Sequence, residues 1–188
     1  MKQRKFFLRQ IIVISCFFSA MGIKFMRLAL MIAAVCVLGG EGVAKAECTD
    51  PAAPQVNWRR CFHDGRDMNK VDLSGAMLRD GTFQRSNLSG AILKGADAYR
   101  AKFVSAQLVR TDFSGARLIE ADFTRADLTG ALLIGADLRS AKLVNADLRN
   151  ADLTSARLER ADLRNADLSG ARWGEGRVCA PASIGQCN

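Results

Sequence analysis

The chain has 188 residues, of which 27 are basic and 19 acidic, for a net charge of +8, and only 7% are aromatic. That length allows one domain, or one domain plus a segment that is removed, and excludes a second large core. Seven basic residues and one acidic residue fall within residues 1–46, so residues 47–188 keep 20 against 18, a net +2. Those charges are scattered, which excludes the clustered basic stripe of a nucleic-acid footprint.

Residues 1–46 read as a secretory leader. Lys2, Arg4, Lys5, Arg9, Lys24 and Arg27 precede the apolar run Leu28 to Leu38, and Ala44-Lys45-Ala46 stands before Glu47. A basic region, an apolar core and a small-x-small site are the parts such a leader needs. The run is too short to cross a bilayer, which takes about 20 apolar residues. Residues 11–20 form a second, weaker run, so Met21 or Met26 is an alternative to Met1 as the start. The expected mature chain begins at Glu47, has no membrane span and is periplasmic or secreted.

Cys16 and Cys36 leave with the leader, while Cys48, Cys61, Cys179 and Cys187 remain in a compartment where disulfides persist. Residues 47–57, with Pro51 and Pro54, read as an irregular lead-in. Trp58, His63 and Met68 keep a five-residue beat with poorer side chains. Residues 47–70 are therefore expected to form an N-terminal cap and a distorted first coil.

From Val71 the beat is unbroken. Leu73, Leu78, Phe83 and each fifth residue to Trp173 make 21 units, with Ala98 the only small residue in the series; two positions earlier, 17 of the 21 residues are alanine. A period of five suits neither a helix near 3.6 nor a flat strand at two, so residues 71–175 require a solenoid of stacked short units. Within each unit the small and large residues point inward and the other three face water.

The number of units per coil follows from what stacks on what. With twenty residues per coil, one face stacks Asp97, Arg117, Asp137 and Arg157, and the next stacks Lys102, Asp122, Lys142 and Asp162. Adjacent strands lie roughly 4.8 Å apart, so opposite signs alternate up both faces. Fifteen per coil would stack Asp122, Asp137, Asp152 and Asp167, like charges directly opposite, which is unfavourable. Four sides and five to six coils follow, with residues 176–188 as a capping tail. Such a tube holds its ends too far apart to be bridged, so only the local pairs Cys48–Cys61 and Cys179–Cys187 are open. Cys61 also falls on the small inward position, where a buried free thiol is the alternative.

The segments Ala-Asp-Leu-Arg-Asn at 146–150, Ala-Asp-Leu-Thr-Ser at 151–155 and Ala-Asp-Leu-Arg-Asn at 161–165 resemble the pentapeptide-repeat family. The resemblance implies an all-β, right-handed quadrilateral β-helix. It also implies that topoisomerase binding by imitation of duplex DNA, known in some members, is the second functional reading. That reading needs a cytoplasmic protein with a net acidic surface.

No catalytic, cofactor or metal site is expected. The lone His63 has no serine, cysteine or carboxylate at a diagnostic spacing and reads as exposed or capping. The column Asp127, Asp147, Asp167 does not alternate, and reads as an acidic face partly neutralised by Arg125 and Arg149 rather than a cation site or phosphate mimic. Ile92, Leu132 and Ile134 on one outward face, with Tyr99 and Ile119 on the next, gather as a candidate interaction patch. The first functional reading is thus a non-enzymatic, exported scaffold offering a rigid lateral surface to a protein or envelope partner, or to a second copy of itself.

Overall fold

The structure is a computed structural model and describes residues 48–188. The leader, its cleavage site, Cys16, Cys36 and the alternative starts lie outside the described residues.

Residues 57 to 172 wind into a four-sided tube. Parallel bridges join residues twenty apart on every wall: Asn57 to Met77, Phe62 to Thr82, Asp67 to Asn87 and Asp72 to Ile92, and so on up each row. Each row reaches its sixth member, Arg157, Asp162, Asp167 or Arg172, so six coils are stacked. The walls are so short that most contribute a single bridge per coil. Only β1 (Asp152–Thr154), β2 (Arg172–Gly174) and β3 (Arg177–Val178) extend into strands.

The five-residue unit explains this geometry. Its large residue and the one before it bond to opposite neighbours: Leu108 N donates to Asp127 O at 2.7 Å, and Asp127 N to Ala106 O at 3.0 Å. Two residues after the large one the chain turns a corner, and that residue takes a left-handed φ, as at Arg110 (54°), Gly115 (64°), Glu120 (57°) and Arg125 (60°). Such a φ is disfavoured for side chains other than glycine. The corner is braced by the residue before the large one. Asp72, Asp112, Asp122 and Asp152 each accept the N–H two residues on, at 2.8–3.0 Å. This is an Asx-type turn, a local alternative to a longer strand.

The core is the inside of the tube. Leu88, Leu108, Leu128, Leu148 and Leu168 are all fully buried, as are Phe83, Phe103 and Phe123. The three phenylalanines stack with centroids 5.2 and 5.0 Å apart. Phe113, from another wall, meets Phe103 and Phe123 edge-on at 5.9 Å. Aromatic contacts of both kinds add to burial. The buried hydroxyls of Ser86 and Thr111, at small inward positions, donate to Phe83 O and Leu88 O.

Two expectations for the first coil are corrected. It is not distorted: Trp58, His63 and Met68 donate to Met77, Thr82 and Asn87 at 2.7–2.8 Å, and Gln55, Arg60, Gly65 and Lys70 turn its corners with the usual φ. Backbone carries the ladder, so poorer side chains do not break it. His63 is neither exposed nor capping. It is 1% exposed, lies between Trp58 at 4.1 Å and Phe83 at 5.4 Å, and so continues the phenylalanine column.

The ends are closed unequally. Trp58 is buried and donates from Nε1 to Asp50 O at 3.2 Å. At the other end β3 pairs antiparallel with β2, and Ile184 pairs antiparallel with Asp167. The tail therefore covers two of the four walls, leaving Leu158 and Leu163 on the other two only partly buried; Trp173, on the wall β3 covers, is also only partly buried. Both local disulfides are formed, Cys48–Cys61 with Cα atoms 5.3 Å apart and Cys179–Cys187 with Cα atoms 4.9 Å apart. Cys61 is both buried and bridged.

Candidate functional site on the lateral walls

The alternating charge rows stand as their spacing requires. Asp97 and Arg117 approach to 3.5 Å, Asp137 and Arg157 to 3.6 Å, and Asp122 and Lys142 to 3.9 Å. Exposed pairs of this kind contribute little stability each, but they set which residues may stack.

The candidate patch divides into two parts. Ile92, Leu132 and Ile134 are 40–41% exposed on one wall. Asp112 bridges to both Ile92 and Leu132, so an acidic rung separates the two aliphatic ones. Tyr99 on the next wall is no part of an open apolar surface. The guanidiniums of Arg79, Arg100 and Arg117 lie 5.0, 6.0 and 5.2 Å from its ring centre, and its hydroxyl faces Glu120 Oε1 at 3.3 Å. Ile119 is partly buried one coil along. Within one row the adjacent residues are twenty apart, and Ile92 and Leu132 are forty apart.

Asp127, Asp147 and Asp167 stack as a continuous row. Each carboxylate is already engaged: Asp127 accepts from Thr129 N and Oγ1, Asp167 from Ser169 N and Oγ, and Asp147 from Arg149 Nε and Nη2. The Arg149 hydrogen bond holds the Asp147 carboxyl below the usual range. Arg149 also stands 3.9 Å from Asp167. Arg125, expected to share this neutralisation, forms no ion pair among the described residues. The row is thus chiefly a set of turn braces.

Two features escaped the sequence reading. Phe62 is 74% exposed at the open edge of its row, and Arg59 stands one coil from Arg79 in a like-charged pair. Both sit at outward positions of the first coil, whose beat through Trp58, His63 and Met68 marks the inward residues, and reading the outward positions of that same register would have found them. Among the described residues no group of three or more His, Cys, Asp or Glu could hold a metal ion. Nor is any helix among the described residues long and apolar enough to cross a membrane.

A four-walled tube with one inward large residue every five defines the chain as a β-solenoid repeat protein. Comparison with known families makes this specific: a model described as pentapeptide repeats matches residues 67–103, 99–133 and 131–170, in 8 copies. The chain belongs to the pentapeptide-repeat family, and its coil is the right-handed quadrilateral β-helix. Among solved structures it is similar to HetL, a pentapeptide-repeat protein involved in heterocyst differentiation regulation in the cyanobacterium Nostoc, at 33% identity and a TM-score of 0.64. That match covers 66% of this chain and 58% of HetL. Rfr23 of the cyanobacterium Cyanothece is 28% identical, with a TM-score of 0.45, over 59% of this chain and 86% of that one. QnrB1, a plasmid-mediated fluoroquinolone resistance protein, is 20% identical, with a TM-score of 0.41, over 64% and 69%. No curated protein matches.

Proposed function

We propose that this protein is a non-enzymatic, exported scaffold whose rigid wall is contacted by protein, a second copy of the chain being the occupant to test first. The observation that carries the reading is the wall of Ile92, Leu132 and Ile134, three aliphatic side chains at 40–41% exposure on a backbone bridged at every coil. Such a wall presents its side chains at fixed rungs of roughly 4.8 Å, so a partner meets them with little ordering to do. Export is supported by the leader pattern and by two disulfides, which persist in oxidising compartments.

Sedimentation of the full chain tests the contact. Ile92→Asp with Leu132→Asp leaves the melting temperature unchanged and abolishes association; unchanged association removes the reading. Sequencing the mature N-terminus tests export. A start at Glu47 outside the cytoplasm supports it, and an intact leader in the cytosol removes it. The topoisomerase reading would then return, although its one acidic row is occupied by turn N–H groups and by Arg149.

A further inference from the structure

Charge alternation fails with positive sign at one corner of the tube. Arg60 N donates to Arg79 O at 2.9 Å, which seats the Arg59–Arg60 corner directly against Arg79 and Asp80 of the next coil. Arg59 and Arg79 therefore occupy one outward column, a single rung apart. Like charges so placed are unfavourable unless something of opposite sign joins them.

The carboxylates nearby are committed elsewhere. Asp80 and Glu120 each lie 3.8 Å from Arg100, and Asp97 is shared by Arg79 at 3.9 Å and Arg117 at 3.5 Å. Arg59 and Arg60 form no ion pair among the described residues, and Arg59 Nη2 donates instead to Met77 Sδ at 3.1 Å. Arg59, Arg60, Arg79 and Asp80 line an open cleft of ≈ 420 Å³. The guanidinium of Arg79 rests 5.0 Å over the Tyr99 ring, which holds it in place. Guanidiniums are planar forks of N–H donors, so three arginines lining one cleft suit a tetrahedral oxyanion better than lysines would.

We propose that Arg59, Arg60 and Arg79 form a binding site for a phosphate group, carried either by a soluble phosphate or by a lipid headgroup. The shared chemistry is the phosphate oxygens. Phe62, 74% exposed two residues beyond Arg60, is the side chain that would enter the interface if the source is a lipid.

The test titrates the full chain with inorganic phosphate at constant ionic strength, following the arginine Nε–H resonances. Saturable shifts are expected at these three arginines, with affinity reduced about tenfold or more by Arg60→Gln or Arg79→Gln, since a charge-assisted contact is lost. Arg164→Gln, on another wall, should leave the affinity unchanged, and equal melting temperatures establish that the variants are folded. A second arm sediments the chain with phosphatidylglycerol or phosphatidylcholine vesicles. Retention on the anionic vesicles that Arg60→Gln removes assigns a headgroup, and saturation without retention assigns a soluble phosphate. Shifts that chloride reproduces, or that the variants share, together with no Arg60-dependent retention, overturn the proposal.

Discussion

His63 stacks on Phe83 one coil away, ring centres 5.4 Å apart and planes 20° apart, and both imidazole nitrogens are buried without a hydrogen-bond partner. Burial lowers its pKa from the ordinary value of 6.5; the Arg66 charge lowers it further, and Asp64 partly opposes both. The folded state therefore favours the neutral ring. Stability from this group is complete above about pH 6.5 and is lost as pH falls toward the lowered folded value. Melting curves of the native chain and of His63→Phe should run parallel at pH 7–8 and separate below about pH 6.5, the variant being the more stable. Parallel curves throughout would contradict the buried placement.

Leu128 and Arg149 test which way the unit points. Leu128 is fully exposed to core and not to solvent, so Leu128→Asp loses its burial and leaves an unpaired carboxylate inside, a cost above about 4 kcal/mol. Arg149→Ala removes an exposed ion pair and should barely move the melting temperature. Equal melting temperatures would refute the inward assignment.

The bracing role of the aspartates separates acceptor from charge. Asp122 accepts from Thr124 N at 3.0 Å and from Thr124 Oγ1 at 2.6 Å. Asp122→Ala should cost on the order of 1 kcal/mol in chemical denaturation, while Asp122→Asn, which keeps the acceptor oxygen, should cost much less. If the two variants lose the same amount, charge pairing with Lys142 and not the turn is the cause.

The C-terminal tail depends on its bridge. Cys179–Cys187 closes a short loop, and the tail pairs through Arg177–Val178 and Ile184. Reduction, or Cys187→Ser, should open tryptic cleavage at Arg177 while leaving the arginines of the walls resistant. Cleavage along the whole tube would show instead that the tail holds the coils together.

The inside of the tube was legible because burial repeats every five residues, and the outward ladders were legible because opposite charges recur every twenty. The candidate site was legible only in part. Register shows that Tyr99 faces outward, but not that three guanidiniums converge on it from residues 79, 100 and 117. Nor does it show that the carboxylates of Asp127, Asp147 and Asp167 turn toward their own backbone and neighbouring side chains. Rotamer choice is settled by local hydrogen bonding, which a periodic pattern does not encode.

By itself, the sequence determined a four-sided solenoid and its inner and outer positions, since like charges and lone apolar residues forbid other stackings. Tertiary structure alone decided that His63 joins the aromatic column, that the tail covers two walls of four, and that Asp97 turns to Arg79 and Arg117 while Arg59 forms no ion pair among the described residues. Each of these depends on what the first or last coil lacks on its outer side. A repeat specifies its own interior through its neighbours, whereas an end has a neighbour on one side only, and there packing must be settled by the particular residues present.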